Sequence, residues 1–352
     1  MPATPDPEVL AVRHDERLDL TRLEPWLRAR LPDATGDLRV EQFGGGHANL
    51  TYLLRFGDTE YVLRRPPLGP VAPGAHDMQR EHRVLRRLGA AFPLAPPSYL
   101  LCTDPEVLGV DFHVMERRHG RVIRQRMPAG TGPELCRRTG EMLVDVLADL
   151  HQVDPATVGL GDLGRPDGFV ERQVAGWHRR WQAAQDQALP DVDRAVRWLG
   201  TDLPPPQRAA LLHNDFKLDN VLVAADDPAT PVALLDWDMA TRGDPLMDLG
   251  YLLCFWTEAD DPAHWRQASR MPTDTPGFPT RAEVVARYAE GTGLETSRVR
   301  WYHVFGVFKL LVILQQIYIR FLRGQTSDRR FAGYGQRVGD LARMGVELIE
   351  GA

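Results

Sequence analysis

Residues 211–250 read LLHNDFKLDNVLVAADDPATPVALLDWDMATRGDPLMDLG, and their reading decides the fold. An Asp and an Asn stand five positions apart (Asp215, Asn220), an Asp closes an apolar run (Asp236), and two further acids follow at Asp244 and Asp248. Residues 221–224 form a short apolar strand signal, Asp226, Asp227 and Pro228 a turn, and 232–235 the returning strand. The pattern predicts a hairpin-like unit with His213, Asp215 and Asn220 on one side and Asp236 on the other. Carboxylates and an amide carbonyl gathered at strand ends are hard oxygen donors, a set that suits Mg2+ beside phosphates.

Asp and Asn are common in turns, so order matters more than composition. In phosphoryl transfer a loop Asp orients the acceptor hydroxyl, an Asn five residues on holds a metal ion, and a later Asp holds the metal that bridges the nucleotide phosphates. H-N-D-F-K-L-D-N, then L-L-D-W-D, then G-D-P-L-M-D-L follow that order. Together they resemble the aminoglycoside phosphotransferase and choline kinase-like branch of the protein-kinase fold. The resemblance implies an α+β, two-lobed, protein-kinase-like chain. A small antiparallel-sheet N-lobe for the nucleotide is expected over residues 1–118, and a larger, mostly helical catalytic and substrate-binding lobe over 119–352.

The same resemblance implies roles. Asp215 is the general base, or the group that orients the acceptor hydroxyl. Asn220 and Asp236 are the metal ligands, with Asp238 the second choice beside Asp236. Lys217 neutralises the moving phosphoryl group, a solvated lysine being the alternative. His213 is expected to hold the loop backbone, and Asp244 and Asp248 to brace it by accepting N–H bonds.

Upstream, strands are predicted at 38–43, 50–56 and 61–65, the first two flanking Gly44, Gly45, Gly46, His47, Ala48 and Asn49. A glycine-rich turn lets backbone N–H groups approach an anion closely. Gly44, Gly45, Gly46 and Asn49 are therefore candidates for a nucleotide flap, a plain tight turn being the alternative. The third strand, Y-V-L-R-R, has no lysine. Aligned with the V-A-I-K of kinases, Arg64 takes the lysine position, and an arginine fork can hold phosphate bidentately. Glu81, on a helix predicted over 75–91, is its natural partner. Strands at 98–103 and 111–116 complete an expected five-stranded lobe. Met115, Glu116 and Arg117 resemble the hinge whose backbone meets adenine. The implied cofactors are ATP and Mg2+.

Composition sets outer bounds. The chain has 352 residues, 43% hydrophobic and 26% charged, which is ordinary for a soluble globular protein of two lobes. A net charge of -6, without a Lys/Arg-rich block interleaved with aromatics, argues against a nucleic-acid partner. Cys102, Cys136 and Cys254 lie in apolar surroundings without C-x-x-C spacing and read as reduced core thiols of a cytoplasmic protein. The polar N-terminus is not a signal peptide; residues 1–18 read as a flexible lead-in to a helix capped by Asp19 and running to Leu31. The apolar run 304–322 is interrupted by Lys309, Gln315, Gln316 and Arg320, which predicts a buried helix and no membrane partner. Further helices are predicted at 133–151, 168–188, 191–199, 251–257, 281–291 and 329–349.

A second resemblance bears on the acceptor. F-G-G-G-H-A-N-L-T-Y, Y-V-L-R-R-P-P-L-G, A-H-D-M-Q-R-E and D-W-D-M-A-T-R-G-D-P-L-M-D-L are similar to the kinase domains associated with acyl-CoA dehydrogenases, a subgroup implicated in phosphorylating hydroxyacyl-CoA thioesters. The implied function is ATP-dependent transfer of the γ-phosphoryl group to the hydroxyl of a small molecule. A hydroxyacyl-CoA stands ahead of an aminoglycoside, because the helices after Gly250 are slightly basic and a polycation would call for acids. Arg165, Arg172, Arg179 and Arg180 are candidates to meet CoA phosphates. A nucleotide-binding pseudokinase acting as a regulatory or binding module is the alternative of another class. A His213/Asp215/Asp236 hydrolase site lacks a second histidine, and no A-P-E segment marks a protein kinase. Oligomeric state stays open.

Overall fold

The computed structural model describes residues 9–44, 49–69, 76–268, 271–326 and 328–351. They form two compact units. One extends from the N-terminal region to His119 and also takes in Ala233–Ala240; the other comprises the rest of the chain from Gly120 onward.

The first unit contains β1 (Val9–Leu10), α1 (Leu20–Arg28), β2 (Leu38–Phe43), β3 (Leu50–Phe56), β4 (Thr59–Arg65), α2 (Met78–Leu88), β5 (Ser98–Cys102), α3 (Pro105–Leu108) and β6 (Phe112–Glu116). Its strands make one antiparallel sheet in the order β1-β2-β3-β4-β6-β5. The sheet has six strands where the sequence predicts five. Val9 and Leu10 pair with Phe43 and Gln42, and the Gln42 side chain accepts the Arg13 N–H at 3.1 Å. Two residues are too few to show an alternation, so this edge strand left no pattern to read. β3 and β4 are joined by Gly57 and Asp58, with φ of +56° at Gly57, a conformation that glycine adopts without strain.

Alternation decides what faces what. Tyr52, Leu54 and Phe56 of β3, Leu63 of β4 and Phe112 and Val114 of β6 share one face and close over Leu23 and Leu27 of α1. Arg64 of β4 and His113 of β6 are register partners on the opposite face, where α2 lies. Asp19 caps α1 by accepting the Thr21 N–H, but the helix stops at Arg28, short of Leu31. The Arg28 guanidinium folds onto the Ala34 and Gly36 carbonyls at 2.7 Å each, tying the next turn back on itself. α2 begins at Met78 rather than at 75, because Asp77 caps it by accepting the Arg80 N–H.

The second unit holds β7 (Arg121–Val122), α4 (Pro133–Gln152), α5 (Phe169–Ala184), α6 (Pro190–Thr201), β8 (Ala210–Leu212), β9 (Val221–Val223), β10 (Pro231–Leu234, by which the chain passes into the first unit), β11 (Thr241–Gly243), α7 (Leu246–Phe255), α8 (Ala263–Ala268), α9 (Arg281–Thr292), α10 (Val299–Leu322) and α11 (Tyr334–Glu350). β8 pairs with β11, and β7 with β9. α10 is long and apolar enough to cross a membrane by length and composition. It is instead a core helix, buried at nearly every residue from Trp301 to Gln315 and packed on α5, α7 and α11. At its crossing with α7 two glycines meet: a Cβ on Gly250 would lie 2.2 Å from the Tyr302 carbonyl oxygen, and one on Gly306 2.4 Å from that of Gly250. All three cysteines are buried and free.

Candidate active site

In the second unit the stretch 213–220 leaves β8, turns through a short 3-10 segment at Leu218–Asn220 and enters β9. Its backbone is pinned from below by Asp248 on α7, whose carboxylate accepts the N–H groups of His213 at 2.7 Å and Asn214 at 2.8 Å. Burial pushes the Asp248 carboxyl up, but His151, His213 and Lys309 outweigh it and hold it below the usual carboxylate range. His213 is buried and accepts the Asp215 N–H through Nδ1 at 3.3 Å, the loop-holding role expected of it. Asp244 does something else: it accepts the Leu246 N–H and the Tyr302 hydroxyl, fixing the start of α7 against α10.

Three groups converge on Asp215. Asn220 Nδ2 donates to its carbonyl at 2.8 Å and to its Oδ2 at 3.0 Å. Lys217 Nζ lies 2.6 Å from the same Oδ2, held over the Phe255 ring at 5.7 Å. Tyr251 of α7 is buried beside the carboxylate, and burial, with the Asp215 charge adding to it, raises its phenol well above the ordinary value. The result is a half-exposed carboxylate with its orientation fixed and charge-assisted partners around it, able to accept a proton from an alcohol. Because the Asn220 amide turns its nitrogen to Asp215, its oxygen is the end left for a cation.

In the first unit Arg64 bridges two acids, with Nη1 2.5 Å from Glu81 Oε1 and Nη2 2.6 Å from Asp236 Oδ1. Glu81 is fully buried and is also met by His113 Nε2 at 3.3 Å. Burial alone would raise the Glu81 carboxyl; Arg64 and His113 reverse this and lower it. Asp238 is held by Asn49, whose Nδ2 donates to its Oδ2 at 3.1 Å, while Asn49 Oδ1 meets His76 Nδ1 at 2.8 Å. Burial, with Asp236 and Glu81 adding repulsion, raises Asp238 to about 7. Asn49 is thus a prop for the D-W-D segment.

Gly44 is the turn residue that follows β2, whereas Gly45 and Gly46 lie outside the described residues. Met115 is buried and Glu116 is half-buried opposite Tyr61 at the end of β6. Glu116 pairs with Arg118, and Arg117 stacks over the Phe43 ring at 4.9 Å. Of the proposed metal ligands, Asn220 belongs to the second unit and Asp236 to the first. Among the described residues no three His, Cys, Asp or Glu side chains gather as a ready-made metal cage. Of the arginines expected near CoA phosphates, Arg172 is engaged with the Arg165 and Asp167 carbonyls and Arg180 stacks over Trp177 at 4.4 Å.

Backbone strain marks the same places. Among the described residues, three non-glycine residues have positive φ: His76 (56°), Asn214 (65°) and Asp236 (69°). One props Asn49, one precedes Asp215, and one is the residue that Arg64 grips. Left-handed backbone costs an ordinary residue about 1–2 kcal/mol, and such conformations persist where surrounding contacts over-determine them.

Four contributors escaped sequence reasoning: Tyr251, Lys309, His113 and His151. Lys309 had a signal, a lone charge inside an apolar helical run, which must find a partner when buried. The others needed the tertiary structure.

The chain matches the APH phosphotransferase enzyme family over residues 39–302. It is 33% identical over 355 residues to chicken (Gallus gallus) acyl-CoA dehydrogenase family member 11, covering 97% of this chain and 45% of that protein. It thus spans less than half the length of the curated relatives it matches. A crystal structure of a provisional aminoglycoside phosphotransferase from Ralstonia eutropha superposes with a TM-score of 0.81 at 30% identity, covering 96% of this chain and 99% of the other. A thermostable aminoglycoside phosphotransferase APH(4)-Ia mutant, in ternary complex with ADP and hygromycin B, shares the fold with a TM-score of 0.57 at 19% identity, covering 92% and 98%. The antiparallel sheet with its Arg64–Glu81 pair, the Asp215 loop and these likenesses agree, and the chain belongs to the APH phosphotransferase enzyme family.

Proposed function

We propose that the protein transfers the γ-phosphoryl group of ATP to the hydroxyl of a small molecule, and that this acceptor is a hydroxyacyl thioester of CoA. The observation that carries the transfer chemistry is the Asp215 carboxylate, held by Asn220 and Lys217. In the reaction the acceptor oxygen forms a bond to the γ-phosphorus as the bond to the ADP oxygen breaks, and Asp215 takes the hydroxyl proton. Lys217 stands beside that carboxylate, where it balances charge on the moving group. Arg64, fixed by Glu81, is the candidate to hold nucleotide phosphates. Asn220 of the second unit offers an amide oxygen and Asp236 of the first a carboxylate, each the kind of hard oxygen donor that Mg2+ takes beside phosphates. When bound, the ion would shield phosphate charge.

The CoA thioester is supported by the names of the curated relatives, which are acyl-CoA dehydrogenase family members. An aminoglycoside acceptor is the second reading, supported by the assignment given to the 30% identical Ralstonia structure. Purified protein with ATP and Mg2+ should be offered hydroxyacyl-CoAs, aminoglycosides, choline and homoserine, and ADP formation and product mass followed. Phosphorylated acyl-CoA is expected. Turnover on aminoglycosides alone would replace the first acceptor with the second, and no transfer to any alcohol would favour a pseudokinase.

A further inference from the structure

The second unit contains a cavity of about 500 Å³, a size suited to a small-molecule ligand. Among the described residues its walls carry three arginines, Arg266, Arg330 and Arg337, against one acid, Asp274. Arg330 is paired with Asp328, and Arg337 donates to the Ala268 carbonyl at 2.8 Å while its guanidinium lies over the Tyr334 ring. Arg266 is exposed and makes no ion pair among the described residues. A net positive, open cavity repels a polycation and attracts phosphate or carboxylate, which the arginine fork matches in shape.

Two wall residues are close chain neighbours of residues that interact with the Asp215 loop. Thr257 on its wall lies two residues past Phe255, whose ring supports Lys217. Gln125 on its wall directly follows Arg124, whose charge acts on Asp219 in the same loop. Consecutive Cα atoms are about 3.8 Å apart, so chain connectivity keeps both walls within a few residues' span of groups that interact with that loop.

We infer that this cavity is the anion subsite of the phosphoryl acceptor, with Arg266 and Arg330 binding the acceptor's phosphate or carboxylate groups and setting the enzyme's preference for anionic alcohols. This rests on the reading of Asp215 as the group that receives the acceptor hydroxyl.

The test uses the full chain with Arg266→Glu and Arg330→Gln, both at exposed side chains where folding tolerates change. A hydroxyacyl-CoA, the matching hydroxyacyl-pantetheine without phosphates, and the free hydroxy acid are compared as acceptors. The variants should raise KM for hydroxyacyl-CoA roughly tenfold or more, the scale of a lost charge-assisted contact, with kcat and KM for ATP unchanged and the pantetheine thioester unaffected. A parallel effect on the free hydroxy acid would identify carboxylate as the seated group. Binding of CoA, measured calorimetrically with Mg2+ and a non-hydrolysable ATP analogue filling the nucleotide site, separates the two failures. If wild type binds CoA through Arg266 yet phosphorylates no thioester, the subsite stands and the acceptor reading falls. If CoA binding and KM are the same in wild type and variants, the subsite is refuted, whatever the turnover.

Discussion

Lys309 Nζ donates to the carbonyl oxygen of Asn214 at 2.5 Å, gripping the left-handed residue that immediately precedes Asp215. Asp248 takes the N–H of the same Asn214 from the other side, so that peptide is clamped at both ends. The ammonium is buried and lies 4.0 Å from the Tyr251 ring centroid, and burial lowers its pKa against the pull of Asp248 and Asp215. Lys309→Met should release the clamp and let the carboxylate wander. A displacement of about 1 Å at a reacting group can cost on the order of 10²-fold in rate. Steady-state kinetics should show a kcat loss of roughly that size with KM for ATP unchanged; equal losses in both would mean a general collapse of the loop.

Asp215→Asn keeps the side chain's shape while removing its basicity. Loss of a general base typically costs about 10²- to 10⁴-fold, so turnover should fall into that range. Nucleotide affinity, read by fluorescence or calorimetry, should stay within a few-fold of wild type.

Glu81→Ala strips a fully buried carboxylate from between Arg64 and His113. Removing one partner of a buried pair usually costs about 3–5 kcal/mol, and because Arg64 keeps Asp236 the loss should fall at the low end of that range. Urea denaturation should show that loss, and replacing Arg64 together with Glu81 by apolar residues should recover part of it.

His303, on α10, is buried near Arg281 and Asp261, and burial lowers its pKa from 6.5 to about 3. Between those values the unfolded chain binds a proton that the folded chain refuses, so this site's contribution to stability falls as pH drops below 6.5. Linkage gives about 2 kcal/mol lost by pH 5 relative to neutral pH. Denaturation midpoints at pH 7 and pH 5 should therefore converge in His303→Leu more than in wild type; an unchanged pH slope would remove His303 from the account.

The Asp215–Asn220 segment was legible because its chemistry is written in adjacent letters, and Arg64 because Y-V-L-R-R aligns with V-A-I-K, strand alternation alone only separating it from Arg65. Glu81 followed from the same logic one element later. Tyr251, His151 and Lys309 were not, since nothing in α4, α7 or α10 taken alone says which turn of helix passes under the loop. That position is set by Gly250 and Gly306, whose missing side chains let two helices touch at the backbone. Edge strand β1 escaped for the opposite reason, being too brief to carry any period.

Ala233–Ala240 belongs to the first unit although the chain reaches it only after most of a second unit has begun. Within it Trp237 is fully buried, its indole N–H on the Leu234 carbonyl at 2.8 Å and its ring edge-on to Phe92, while the Leu234 N–H bonds the Leu94 carbonyl. Synthesis delivers residues 9–119 before Trp237, and a fragment cut after His119 would lack both the indole that covers Phe92 and the Leu234 N–H that meets Leu94. Asp236, gripped by Arg64, and Trp237, packed on Phe92, are chain neighbours, so the acid and the indole reach the N-terminal unit on one short segment.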